Sequence, residues 1–330
     1  MTSVLSHHLT VSDEPVLVID IGGTNIKFGY SLAGQPLAFR KLFSTDALRA
    51  DDPVQALARM VEAVVGESAV RPRAIVAAVP GFIDTDDDHI LYAANIMGLN
   101  GRRLGTELSQ LVGIPVLLER DAVLALTGEV FAGAAQDEDH VLGIFFGTGI
   151  GAAFMDGGKP FRGAGWALEI GLMPFCGEGR ALEGMRTDCL EAYASGRALQ
   201  GIAERYGVAI DGIFRSAESI RLLADELALF VRYQAFAVGV AVAMVSPATI
   251  LLGGGVLDMD GFPREKLSEL IVNHSPVAET GRAIDLRWCQ HGWLAVLHGA
   301  PAVVAEHRSR HAHPFKNFAP EQPDSRLKAG

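Results

Sequence analysis

The chain has 330 residues, 49% of them hydrophobic, enough for a sizeable core and, at roughly 100–200 residues per domain, for two domains. Lys and Arg number 28 against 39 Asp and Glu, a net charge of -11 with no basic cluster to offset it, so the surface repels nucleic-acid phosphate and no nucleic-acid partner is expected. Three cysteines, Cys176, Cys189 and Cys289, are odd in number and widely spread, which argues against a disulfide framework.

Residues 1–15 are polar, with histidines and acids and no charged head leading into an apolar run. They read as a flexible N-terminus and not as a signal peptide. Val16 to Asp20 is an apolar run ending in an acid, followed by Gly22-Gly23 and the alternating Ile26, Phe28 and Tyr30. That is the pattern of two antiparallel strands joined by a tight glycine turn. A further hairpin runs through Ala33-Gly34-Gln35. Pro53 to Val65 has helical spacing, with Asp51-Asp52 placed to cap it. Ala74 to Val79 is a buried strand, Leu104 to Val112 an amphipathic helix, and Val116 to Leu118 a strand leading to Glu119-Arg120-Asp121. A helix from Val123 to Phe131 ends at Gly133.

The second half repeats the first in style. His140 to Phe146 is a strand ending in Gly147-Thr148-Gly149, and Ala152 to Phe154 continues its sheet. Ser219 to Met244 is a long helix, Thr249 to Leu252 a strand running into three glycines, and Leu294 to His307 a closing helix. Phe236 to Leu257 is apolar enough to be mistaken for a membrane span. Ser246-Pro247 and Gly253-Gly254-Gly255 divide it into a buried helix, a break and a buried strand, so no membrane association is expected and a cytoplasmic location is the default. Residues 308–330, rich in Pro, His and charge, read as a polar tail.

Three glycine turns follow strands. In Asp20-Ile21-Gly22-Gly23-Thr24-Asn25 the glycines let backbone N–H groups approach phosphate oxygens, Thr24 adds a hydroxyl, and Asp20 is placed to hold Mg²⁺ through water. Phe146-Gly147-Thr148-Gly149-Ile150-Gly151 repeats the device. Leu252-Gly253-Gly254-Gly255 offers bare backbone to a flat adenosine. Each alone is equally a plain tight turn. Their order and setting, with neither a Walker loop nor a dinucleotide fingerprint, look like the two-hairpin phosphate clamp of actin-like kinases. Asp121, between a strand and a helix, suits a kinase base that orients and deprotonates a hydroxyl; in the other reading it is an N-cap. Glu169, in an apolar glycine-rich stretch, is awkwardly placed for a charge unless a ligand pairs it. Glu191 by itself reads as a solvated helix residue.

Together these residues resemble the ROK family of bacterial sugar kinases and regulators, from about Val16 to His307. The resemblance implies an α/β fold of two actin-like (ribonuclease H-like) domains with an ATP and sugar cleft between them: residues 16–120 with the closing helix at about 294–307, and residues 121–293. It implies transfer of the ATP γ-phosphate to a hexose, usually at the 6-hydroxyl, with Asp121 as base. Asn95, Glu169 and Glu191 match positions that hold sugar hydroxyls. Gly22, Gly23, Thr24, Gly147, Thr148 and Gly149 match the phosphate turns, and Gly253, Gly254 and Gly255 border adenosine. ATP and Mg²⁺ are the cofactors implied, and a homodimer is expected by resemblance alone.

Two departures stand out. Many family members carry a zinc site, and here its His position is Leu172 and its first two cysteine positions are Leu182 and Gly184, with only Cys189 retained. No structural zinc is expected; Leu172, Met173, Leu182 and Met185 would fill the space. The second is Arg120, where most relatives have Asn. Arg-Asp occurs in D-allose kinases, which also resemble residues 253 to 265, so Arg120 is carried as a substrate contact and D-allose is named first, with a structural ion pair as the other reading. Glucose or N-acetylmannosamine is the alternative acceptor. A sugar-responsive regulator would carry a helix-turn-helix before the first glycine turn, where only about fifteen residues stand. A catalytically silent sugar-binding protein is the remaining reading.

Overall fold

The structure is a computed structural model that describes residues 10–312, apart from 51, 86, 87, 94, 95 and 183. The first half contains β1 (Val16–Ile21), β2 (Asn25–Leu32), β3 (Gln35–Ser44), α1 (Ala47–Ala50), α2 (Pro53–Glu67), β4 (Ala74–Val79), the small hairpin β5 (Phe82–Asp84) and β6 (His89–Tyr92), α3 (Leu104–Val112) and β7 (Val116–Arg120). The second contains α4 (Asp121–Ala132), β8 (Val141–Phe146), β9 (Ile150–Asp156), β10 (Lys159–Pro160), α5 (Glu191–Ala194), α6 (Gly196–Tyr206), α7 (Ile213–Ser216), α8 (Arg221–Val245), β11 (Thr249–Gly253), α9 (Arg264–His274) and β12 (Asp285–Trp288). Helix α10 (Leu294–Ala312) closes the described chain.

The two halves share one topology. Their five-stranded sheets have the orders β3-β2-β1-β4-β7 and β10-β9-β8-β11-β12. In each, an antiparallel hairpin (β1 with β2, β8 with β9) is followed outward by two parallel strands. Central strands such as β4 and β11 are buried along their whole length, which is why they read as unbroken apolar runs. The glycine turns expected after β1 and β8 therefore fall at equivalent corners. Asp52 caps α2, its Oδ1 accepting from the N–H groups of Val54 and Gln55 at 3.0 Å each, while Asp51 lies outside the described residues.

Helix α4 lies between the sheets. Leu124 packs with Val16, Val18, Val296 and Leu297, whereas Val123, Leu126 and Val130 pack with Val141, Met155 and Leu251. It crosses α10 with almost no side chain between the backbones. A Cβ on Gly128 would fall 1.9 Å from the Ala295 carbonyl oxygen, and one on Gly299 would fall 2.4 Å from that of Leu124. Among the described residues, α8 is the one helix long and apolar enough to cross a membrane by length and composition. It packs Leu223, Leu227, Phe230 and Val238 into the core of the second half and ends at Ser246, ahead of β11.

Both ends of the chain depart from the sequence reading. Residues 10–15 of the stretch taken as flexible run along α10: Ser12 is buried and its N–H donates to Pro301 O at 3.0 Å, and Glu14 pairs with Arg308. Helix α10 continues five residues past His307, with Arg310 paired to Glu306 one turn back at 2.7 Å. Residues 1–9 and 313–330 lie outside the described residues.

Candidate functional site

The corner after β1 is a tight turn, closed by Gly22 N–H donating to Asn25 O at 3.0 Å. It is braced from outside by residues the sequence reading missed. Thr45 Oγ1 donates to Gly22 O at 2.7 Å, and Arg49 Nη2 donates to Gly23 O at 2.7 Å. With those carbonyls held from behind, the N–H edge of the turn is left to a ligand. The matching corner after β8 is closed by Gly147 N–H to Gly149 O at 3.0 Å. The start of α6 abuts it, Gly196 N–H donating to Gly147 O at 2.8 Å and Arg197 N–H to Thr148 O at 3.1 Å. Gly254, after β11, has a φ of 102°, and a Cβ there would sit 2.4 Å from Phe146 O, so only glycine fits.

These corners and four carboxylates line one cavity of about 860 Å³. Asp20, Asp121, Glu169 and Glu191 all reach it, with Gly22, Gly23, Gly147, Thr148, Gly149, Gly254 and Gly255. Thr24 is exposed outside the cavity lining, and Gly253 is buried against Cys289, so these two are not among the lining residues. Asn95 lies outside the described residues.

Asp121 is the first residue of α4, and Ala122 N–H donates to its Oδ1 at 2.7 Å. Burial first, and the Asp20 charge second, push its carboxyl up to about 6. Burial also raises Asp20, which Lys27 draws back, its Nζ 3.6 Å from Asp20 Oδ2. Glu191 is not the solvated helix residue of the bland reading. Its Oε1 accepts from Ile150 N–H at 2.7 Å, and burial raises its pKa. Gly149 and Gly171 make room for it, since a Cβ on either would fall 2.4 Å or 2.7 Å from Oε1. Glu169 is pushed up to about 7 by burial, with Arg120 opposing and Asp121 and Glu191 adding to the rise.

Arg120 requires a correction. It does not line the cavity; its side chain is 2% exposed, with Nη1 donating to Ala167 O at 2.5 Å, Nη2 to Ala152 O at 3.0 Å, and Nη2 lying 2.9 Å from Glu169 Oε1. A β7 residue alternates with its neighbours, so with Asp121 facing the cavity the preceding side chain points beneath it. Arg120 is therefore held in an ion pair with Glu169 and is set back from the cavity lining.

Several lining residues gave no sequence signal. Lys27 and Trp293 form the wall beside Asp20, with Lys27 Nζ 5.7 Å and the Arg40 guanidinium 5.3 Å from the indole centroid. Phe82 and Tyr92 line the same cavity, as do Leu172 and Met185 from the positions discussed for zinc. At the positions discussed for zinc, Cys189 is buried, Met173, Leu182 and Met185 pack against the core of the second half, Leu172 lines the cavity, and Cys176 is exposed.

A family model described as "ROK family" matches residues 16–307. The chain is 26% identical over 299 residues to an N-acetyl-D-glucosamine kinase of Pectobacterium carotovorum, covering 85% of this chain and 96% of that protein. Among solved structures it resembles a ROK hexokinase from Thermus thermophilus (TM-score 0.73, 29% identity, 89% of this chain and 99% of that one). It also resembles a ROK glucokinase from Streptomyces griseus solved with glucose and AMPPNP (TM-score 0.74, 25% identity, 88% of this chain and 98% of that one).

Proposed function

The chain belongs to the ROK family and is an ATP-dependent sugar kinase of the actin-like fold; from that premise we propose that it transfers the γ-phosphate of ATP to a hexose, at the 6-hydroxyl, with Asp121 as the base. The observation that carries this reading is the convergence of Asp20, Asp121, Glu169 and Glu191 between two backbone-presenting glycine turns in one cavity. Phosphoryl transfer asks mainly for positioning and charge stabilisation, and a carboxylate near the attacking hydroxyl completes it. With its carboxyl near 6, Asp121 is ionised at neutral pH yet basic enough to take a proton.

In this reading the phosphates lie against Gly22, Gly23, Gly147, Thr148 and Gly149, and adenosine borders Gly254 and Gly255. Asp20 offers the hard oxygen donor that suits Mg²⁺ carried in on ATP, which would neutralise phosphate charge. Glu169 and Glu191, with Asn95, accept hydrogen bonds from sugar hydroxyls. Closure of the two halves expels water that would compete as acceptor. A cytoplasmic homodimer remains the expected form.

The first acceptor to test is an N-acetylated hexosamine, because the apolar lining residues Leu172, Met185 and Phe82 suit an acyl methyl and a curated relative is an N-acetyl-D-glucosamine kinase. D-Allose keeps the support of residues 253 to 265 but loses that of Arg120, which is buried in a pair. An ADP-release assay with Mg²⁺–ATP and N-acetyl-D-glucosamine, N-acetylmannosamine, glucose and D-allose decides among them. Sugar binding without turnover on any of the four would instead favour a silent binding protein.

A further inference from the structure

Residues 119 and 120 at the end of β7 grip one loop of the second half through two opposed ion pairs. Glu119 Oε2 accepts from Arg162 Nη2 at 2.6 Å, and Arg120 Nη2 lies 2.9 Å from Glu169 Oε1. Arg120 also holds the carbonyl of Ala167, two residues before Glu169. The polarity alternates: acid on the strand with base on the loop, then base on the strand with acid on the loop. The next residue along the strand is Asp121.

Glu169 needs such a partner. It shares the cavity with Asp121 and Glu191, and it is mostly buried, so an isolated carboxylate there would take up a proton. A protonated acid no longer offers two acceptor oxygens to a hydroxyl. Arg120 needs Glu169 equally, because its guanidinium is 2% exposed, its Nε has no partner, and its other contacts are neutral carbonyls. The groups facing Glu169 are Arg120 from β7, Asp121 from α4 and Glu191 from α5, and only the first is a cation.

We propose that Arg120 is a positioning residue of the acceptor site, orienting Glu169 as an acceptor for a sugar hydroxyl and favouring its ionised form, without touching the sugar itself. The inference rests on the acceptor site proposed above. Arg120 engages Glu169 through Oε1.

The test compares wild type with Arg120→Lys, Arg120→Met, Glu169→Gln and the double variant Arg120→Met/Glu169→Gln. Acceptor KM, ATP KM and kcat are measured from about pH 5.5 to 9, using whichever hexose the wild type turns over best. Arg120→Met is expected to raise acceptor KM about 10- to 100-fold at neutral pH, the loss of a charge-assisted hydrogen bond, with ATP KM unchanged. The acid limb of its acceptor KM, separate from that of kcat, should move up by about one pH unit or more, and Arg120→Lys should keep that limb near the wild-type position. The double variant should be no worse than the poorer single one, because both changes remove the same interaction. Multiplicative effects, an unshifted limb, or an equal rise in ATP KM would overturn the proposal and leave Arg120 as a packing element. If Arg120→Met does not fold, Arg120→Gln takes its place in both the single and the double variant of the cycle. Calorimetry on wild type separates the layers: no hexose binding at all removes the acceptor site and this inference with it, whereas binding with uncoupled variants removes the inference alone.

Discussion

Arg162 Nη2 lies 2.6 Å from Glu119 Oε2, a carboxylate only 2% exposed, and the same guanidinium nitrogen reaches Glu306 Oε2 on α10 at 3.0 Å. One side chain thus joins β7, the Glu169 loop and the closing helix. Removing one partner of a buried pair strands the other's charge, so Arg162→Met should lose about 3–5 kcal/mol of stability. Urea unfolding measures it, and Glu119→Gln in the same chain should restore part of the loss. A change below about 1 kcal/mol would mean that the pair contributes no more than a surface one.

Asp121→Asn preserves size and removes the proposed base. Turnover should fall by about 10²–10⁴-fold with sugar and nucleotide affinities largely kept. Single-turnover rates together with calorimetric Kd values check both halves, and near-normal turnover would take the role of base away from Asp121.

The same residue ties activity and stability to pH with opposite signs. Its carboxyl stands at about 6 in the fold against 3.8 unperturbed, so the fold holds that proton more tightly than the unfolded chain does. That contribution to stability is complete below about pH 4 and lost as pH rises through about 6. Asp121→Asn should therefore melt higher than wild type at pH 8, with the gap closing near pH 4. Wild-type kcat runs the other way, falling as pH drops below about 6 and the proposed base protonates, while acceptor KM follows Glu169 at about 7. Equal melting temperatures at both pH values would count against a buried, raised carboxyl.

Trp293 lies in the cavity wall beside Lys27 and Arg40, and its indole N–H is among the groups that hold the Asp20 carboxyl down against burial. Mg²⁺–ATP entering beside Asp20 should change tryptophan emission, and Trp293→Phe should abolish that change while Trp166 and Trp288 continue to emit. A signal that survives in Trp293→Phe would place the reporting tryptophan elsewhere.

What was legible in the sequence was what local chemistry determines. Apolar runs stopped by glycine announced β1, β8 and β11, because a tight turn that bares its N–H groups needs glycine within a few residues of the strand. The position of Asp121 between strand and helix was legible too. Arg120 was open between two readings, and deciding it required Glu169, 49 positions later in the chain. Thr45 and Arg49 brace the first turn from more than twenty positions away, and Trp293 reaches Asp20's wall from the far end of the chain. No periodicity or motif carries such pairings, because they arise only when the two sheets and α10 pack together.

Gly128→Ala should be among the costlier single-methyl changes in the chain. The new Cβ would meet the Ala295 carbonyl at 1.9 Å, so α4 and α10 must separate, at about 1–3 kcal/mol or more. Thermal unfolding reads the loss, and an unchanged melting temperature would show that the helices have slack.

That bare crossing has a mechanical consequence. Helix α4 leads out of the first sheet and α10 leads back to it, so the halves meet at the point where their backbones touch. Sliding along that crossing would disturb the close approach, whereas a swing about it would leave the contact in place, with travel that grows with distance from it. Asp121, two helical turns from Gly128, would move little in such a swing. The rims that carry the glycine turns would sweep the larger arc, bringing the ligand to a nearly stationary base.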